Sequence, residues 1–453
     1  MQPGDLLDLD IADVAHGGVF VARHEGRVVF VADAIDGERV RARLTDTAKS
    51  SFWRADVVEV LDASPHRRRH VWAAADVAVA PERRPGGAEF GHIALGHQRE
   101  LKQRVLTEAL ERFGGMAHPA ATIQGALPVR SRTGEVVVAE TADATRWRTR
   151  VSLHVDAQGR IGPFAARSRD VIETGDLPLA TDQIERTAAH LRDDARQAAL
   201  GRIDLVQPAD GTVRVIPRPS DRRRQSARSR HSPHRGGARP ERASAREAHD
   251  PAREVVVERV GDREFRVDAG GFWQVHTLAA HSLSSLVRSH LAGCVDPDAQ
   301  HLDLYGGVGL FAAAIAEAGG PATRITTVES DPRATEHAGH NLSEWIGARA
   351  ETDRVDRYLA RLRAHSGAAE RARLERGVVL LDPPRAGAGR DVVEHVAALA
   401  PASVVYVACD PVALARDLGT FRARGYEPRL IQALDLFPHS HHVEAVAVLS
   451  GPV

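Results

Sequence analysis

The chain has 453 residues, with 60 Lys and Arg against 61 Asp and Glu and a formal net charge of -1, so no global excess of charge points to a partner. Its length predicts roughly two or three domains with separate apolar cores. With only two cysteines, Cys294 and Cys409, neither a disulfide framework nor a cysteine-ligated zinc or iron–sulfur site can be built. Aromatics at 4% give no broad stacking platform for nucleic acid. No apolar run of about eighteen residues and no signal-peptide pattern is present, so a cytoplasmic chain without membrane contact is expected.

From Leu6 to about Leu61 the pattern is one of short alternating runs separated by glycine turns, which predicts a small antiparallel β-barrel over residues 1–64. Arg39, Arg41 and Arg43 share one face of a strand, readable as a solvated face or as a phosphate-tracking one. Pro65–His70 reads as a basic solvated linker. Apolar residues at helical spacing then predict a helix between Gly91 and Phe113, stopped by Gly114-Gly115. Strands follow at Glu135–Ala139 and Arg148–Val155, with a helix from Thr181 to about Ala198. Residues 218–253 lose all periodicity and crowd Arg, Ser, Pro, Gly and His, which predicts a disordered basic loop. Such a loop adds sequence-blind attraction to RNA or is a tolerated insertion.

Beyond it, Glu254–Val260 and Glu264–Val267 form a hairpin around Gly261-Asp262. From His301 onward strands and helices alternate, ending in a pair of strands near Pro428–Ala433 and Val443–Leu449. This predicts an α/β fold, a parallel doubly wound sheet with an antiparallel hairpin at its end. The domain plan is therefore 1–64 barrel, 65–255 central α/β region and 256–453 doubly wound domain.

Asp303-Leu-Tyr305-Gly-Gly-Val-Gly309 is a strand, a glycine turn and a helix start, where backbone approaches a ligand closely. The next strand ends in Glu329, placed to accept ribose hydroxyls. Val378–Leu381 runs into Asp382-Pro-Pro-Arg385, an acid followed by a rigid loop without backbone donors. Together these indicate S-adenosylmethionine rather than a nicotinamide dinucleotide. Val404–Ala408 then delivers Cys409 to the carboxyl edge of the sheet, and Asp435–Val443 is a loop able to bring Glu444 back to that edge. A thiol and a carboxylate suit covalent addition to a ring followed by proton removal. Cys294 lacks such company and reads as structural.

Gly271-Phe-Trp-Gln274-Val-His276, the Asp303–Gly309 and Asp382–Arg385 motifs, Tyr406-Val-Ala-Cys409-Asp-Pro411 and Asp435–Glu444 resemble the RNA 5-methyluridine methyltransferase family, the uracil-C5 enzymes of tRNA and rRNA. The resemblance spans the catalytic half and implies a Rossmann-like class I methyltransferase domain. It implies Gln274, Tyr305, Glu329 and Asp382 as S-adenosylmethionine contacts, Cys409 as nucleophile and Glu444 as base. The barrel looks like the oligonucleotide-binding-like TRAM module that often precedes such domains. The implied partner is structured RNA, rRNA or tRNA, and a monomer is expected. Three positions depart from the family pattern. Asp410 stands where Asn commonly follows the nucleophile, and its carboxylate disfavours a thiolate unless paired, with Arg416 and Arg385 as candidates. His276 replaces an Asn, and Gly306 a cysteine. The cysteines that hold an iron–sulfur cluster in many relatives have no counterpart between Ala73 and Ala88, so no cluster is expected, and Pro85–His92 looks like its vestige. Two other classes compete. An amino-group methyltransferase of nucleic acid would want an aromatic where Arg385 stands, and a non-catalytic RNA-binding protein has no use for Cys409 with Glu444.

Overall fold

In the computed structural model, residues 1–193, 201–219 and 250–451 are described. Most of the basic segment 218–253 lies outside them, as does the end of the helix expected to reach Ala198. Strands Leu6–Ala15, Val19–His24, Arg27–Ala32, Arg39–Asp46 and Phe52–Asp62 close into a five-stranded barrel. Alternation drives it: Leu7, Leu9 and Ile11 point inward with Phe20, Val29, Val40 and Val57, while the intervening residues face out. Two of the three arginines on that face are charge-paired, and Arg39 is exposed. Arg41 is held by Asp8 and Glu59 at 2.8 Å each, and Arg43 by Glu82.

The segment Pro65–His70 is not a solvated linker. Arg67 pairs with the buried Glu38 of the barrel at 2.5 Å, and His70 is buried. The segment read as a cluster vestige is held by Arg84, which pairs with Asp33 at 2.6 Å, and by the buried Phe90 and His92. Helix Leu95–Arg112 starts four residues later than the Gly91 bound, since Gly91–Ala94 close backbone turns onto His66 and Phe90. The central region is an antiparallel sheet of Ile161–Gly162, Arg150–Val155, Gly201–Val206 and Arg214–Pro219, covered by helix Asp182–Asp193 through Ile184 and Ala188.

The catalytic sheet has eight strands, in the order Ala348–Thr352, Arg324–Glu329, Gln300–Leu304, Val378–Leu381, Ser403–Ala408, Glu444–Ser450, Glu427–Asp435 and Ala121–Gly125. The first five are parallel, and Glu444–Ser450 runs antiparallel to both neighbours. Val404 and Tyr406 pack into the core on one face and Val405 and Val407 into that on the other, so the strand beneath Cys409 is dry on both sides. The last strand, Ala121–Gly125, comes from the N-terminal half, and helix Leu95–Arg112 packs on helix Pro411–Arg422. Residues 95–125 thus build part of the catalytic sheet's layer rather than the central sheet. Among the described residues, no helix is long and apolar enough to cross a membrane.

Candidate active site

Parallel strands deliver their last residues to one edge of the sheet, and the groups singled out in the sequence meet there. Cys409, Glu444, Gln274, Tyr305, Glu329 and Asp382 all line one cavity of about 1130 Å³. At its floor, the strand Gln300–Leu304 leads to Tyr305, whose backbone turns through φ +64 into the glycine turn. Gly306 cannot carry a side chain, since a Cβ there would stand 1.9 Å from Thr327 Oγ1 and 2.6 Å from Asp303 Oδ2. The turn therefore lies flat against the neighbouring strand. Asp303 accepts from Ala312 N–H at 3.2 Å and from the Thr327 hydroxyl at 3.0 Å, tying turn, helix and strand together. Burial pushes its carboxyl up to about 7.

Glu329 ends its strand with one oxygen accepting from the N–H groups of Ser330 and Asp331, at 2.6 and 2.9 Å. Its other oxygen accepts from Gly307 N–H at 3.2 Å. The carboxylate is therefore fixed, and it faces the glycine turn across the cavity floor. Asp382 is pushed up to about 7 by burial and then by Asp303. Its loop is pinned from behind: Asp417 accepts from Ala388 N–H at 2.8 Å and from the Tyr406 hydroxyl at 2.5 Å.

Cys409 and Glu444 are brought together by register. Ala408 pairs with Ala445 across the antiparallel strands, so one further step sets Cys409 opposite Glu444. Glu444 is buried, and burial followed by the charge of Asp382 raises its carboxyl well above the usual range. The Cys409 thiol is pushed up to about 11, first by burial and next by Glu444, with the Arg385 guanidinium acting in the opposite sense. The cavity lining carries eight Asp and Glu against five Arg, and the buried acids Asp382 and Glu444 fit a sulfonium ligand. Phe272, 72% exposed, stands at the cavity mouth.

The structure corrects the proposed partner of Asp410. Its carboxylate meets neither Arg416 nor Arg385 but His16 of the barrel, at 2.9 Å, while the other oxygen caps helix Pro411–Arg422 through Ala413 N–H. Arg385 instead reaches His442 at 3.4 Å, and His441 lies 3.6 Å from Glu89. Cys294 is exposed, not buried as a structural thiol would be. Sequence reading missed His16, Lys102 and Arg148. Lys102 alone left a signal, as a charge inside an apolar helix face; His16 sits in a turn, and Arg148 in a strand start, where cations are ordinary. Arg148 also lines the cavity, with no carboxylate paired to it among the described residues. No group of His, Cys, Asp and Glu able to hold a metal ion occurs among the described residues.

A doubly wound sheet with a glycine turn, a fixed acid after the second strand and an Asp-Pro-Pro loop around one acidic cavity defines a class I S-adenosylmethionine-dependent methyltransferase. Residues 295–451 match the model of the tRNA (uracil-5-)-methyltransferase family. An uncharacterised RNA methyltransferase of Streptomyces avermitilis is 38% identical, the match covering 98% of each chain. Another, from Bifidobacterium longum, is 32% identical over 98% of this chain and 96% of its own. In fold, the tRNA (uracil-54, C5)-methyltransferase of Pyrococcus abyssi, solved with S-adenosyl-L-homocysteine, superposes with a TM-score of 0.65 at 20% identity, covering 97% of this chain and 99% of that one. The chain belongs to the RNA 5-methyluridine methyltransferase family and uses S-adenosylmethionine to methylate RNA.

Proposed function

We propose that this enzyme makes 5-methyluridine in rRNA or tRNA by covalent addition of Cys409 to the target uracil. The observation that carries the reading is the register that sets Cys409 opposite Glu444 inside the acidic cavity. Gln274, Tyr305, Glu329 and Asp382 hold the methyl donor, with Glu329 placed for ribose hydroxyls. When bound, S-adenosylmethionine supplies the electrophilic methyl group. Uracil C5 is a poor nucleophile, so the Cys409 thiolate adds to C6 and leaves an enolate whose C5 can take up that methyl. Glu444 then removes the C5 proton, the C6–S bond breaks and the thiolate leaves.

The target base must leave its stack to reach Cys409, which favours loops or single strands of structured RNA. Phe272 at the cavity mouth offers a ring for a displaced base, and Arg148 and Arg385 supply cations for the RNA backbone. Residues 1–64 and 65–255 are assigned to RNA recognition and 256–453 to methyl transfer, with Ala121–Gly125 contributed to the catalytic sheet.

Cys409→Ala is expected to bind S-adenosylmethionine yet transfer no methyl group, and full activity in that variant would sink the covalent route. Glu444→Gln should accumulate an RNA adduct visible on a denaturing gel, and RNA containing 5-fluorouridine should trap the wild-type enzyme. Mass spectrometry of tRNA and rRNA from a strain lacking the gene identifies the substrate by its missing 5-methyluridine.

A further inference from the structure

The N-terminal barrel touches the catalytic centre itself. Its turn Ala15–Gly18 borders a second, smaller cavity of about 180 Å³, whose other walls include Cys409, Asp410 and the loop His441–Val443. Gly18 adopts φ +75, and a Cβ there would stand 2.8 Å from the His441 side chain, so the turn lies directly on the loop that leads to Glu444. One residue pair then ties the turn to the nucleophile's own loop: His16 Nε2 and Asp410 Oδ2, 2.9 Å apart.

A carboxylate on the residue after a nucleophilic cysteine is a liability, because a nearby negative charge disfavours the thiolate. In this chain both Asp410 oxygens are engaged, one by His16 and one by Ala413 N–H at 2.8 Å. The acids that do raise the Cys409 thiol are Glu444 and Asp382. Of the other charged groups around the small cavity, Lys102 pairs with Asp435 and His441 lies against Glu89, while Arg385, beside His442, acts to lower the Cys409 thiol. Among the described residues, His16 is the one side chain that hydrogen-bonds Asp410.

We propose that His16 is a positioning residue of the catalytic centre, by which a hydrogen bond from the barrel holds the Asp410 carboxylate away from Cys409 so that the thiolate can form. The inference rests on the reading of Cys409 as nucleophile. Burial works against the Asp410 carboxylate, yet the His16 hydrogen bond and the cap from Ala413 hold it below the usual range. His16 is raised in turn, chiefly by its hydrogen bond to Asp410. The contact also places RNA binding at the barrel and thiol activation in one mechanical unit.

The test reads the thiol directly, in the full chain carrying Cys294→Ser so that the exposed second cysteine does not report. The rate of Cys409 alkylation by iodoacetamide is followed against pH. His16→Ala is expected to shift the midpoint upward by about one unit, equivalent to about tenfold slower alkylation at a pH below both midpoints. Adding Asp410→Asn should bring the profile back, since the carboxamide still caps the helix without a charge. His16→Gln, which keeps a donor at similar reach, should shift the midpoint less than His16→Ala and keeps the comparison available if the alanine variant folds poorly. An unchanged midpoint in His16→Ala, with or without a lower melting temperature, overturns the proposal, as does a double variant that stays shifted. Activity retained in Cys409→Ala would instead remove the nucleophile reading, an outcome independent of the alkylation profiles.

Discussion

Lys102 Nζ lies 2.5 Å from Asp435 Oδ1, with both side chains shielded from solvent. Lys102 also donates to the Phe437 carbonyl at 3.0 Å, and Arg99 approaches the other Asp435 oxygen at 3.3 Å. A helix of the N-terminal half thereby clamps the end of strand Glu427–Asp435, where the loop to Glu444 begins. Burial lowers the Lys102 ammonium, and the charge and hydrogen bond of Asp435 counteract it. Removing one member of a buried pair leaves an uncompensated charge, typically at about 3–5 kcal/mol. Lys102→Met should therefore lower the urea unfolding midpoint markedly, and Lys102→Met with Asp435→Leu should recover a large part of it. A single variant as stable as wild type would show the clamp to be idle.

The catalytic half was legible because its signals are local: apolar runs end at Leu381 and Ala408 with a chemical group after each, and a glycine turn follows Tyr305. The barrel was legible from alternation, but it is not wholly antiparallel as expected: Arg27–Ala32 pairs parallel with Phe52–Asp62, because the strand Arg39–Asp46 lies between them in sequence and not in the sheet. What escaped depends on contacts between residues distant in sequence. The pairing of His16 with Asp410 spans 394 positions, and nothing in a glycine turn announces it. Ala121–Gly125 carries too few β-branched residues to be read as a strand, and only the unpaired edge of Glu427–Asp435 makes it one. Residues 135–139 illustrate the reverse: the run of valines does form a strand, Val136–Val138, yet all three are exposed and pair only with Val129–Arg130.

Asp303 gives the fold a pH dependence. Its folded value is about 7, raised by burial, whereas an unfolded aspartate titrates near 3.9. Between those values the folded chain keeps a proton that the unfolded chain has released, so the stabilising contribution is complete below about pH 4 and is lost as pH rises through about 7. Asp303→Asn, which can still accept from Ala312 N–H, should flatten the decline in urea stability between about pH 4 and pH 7, by an amount on the order of a few kcal/mol. An unchanged slope would move the effect to other groups.

Asp417 controls the Asp382 loop from outside the cavity. It accepts from Ala388 N–H, Gly389 N–H and the Tyr406 hydroxyl, so its removal strands several buried donors at once. Asp417→Ala should weaken S-adenosylmethionine binding measured by calorimetry, by roughly tenfold or more, while Tyr406→Phe, which deletes one donor and leaves the other two bonds, should do less. Equal effects from both would place the cause in packing rather than in the loop's anchor.

The acidic cavity makes a prediction about ligand charge. Cys409 at about 11 and Glu444 raised well above its usual range are both penalised first by burial and then by neighbouring acids, so each would ionise more readily beside a cation. Sinefungin carries an ammonium where S-adenosylhomocysteine has a neutral thioether, and the two are otherwise close in shape. Titrating the thiolate absorbance as a difference between the enzyme and its Cys409→Ser variant, both in the Cys294→Ser background, should therefore show a midpoint about one unit lower or more with sinefungin than with S-adenosylhomocysteine. The comparison separates charge from desolvation, because both ligands exclude water from the same space. Equal midpoints would mean that the donor's positive charge plays no part in preparing the thiol, and would leave Arg385 and RNA binding to supply the activation.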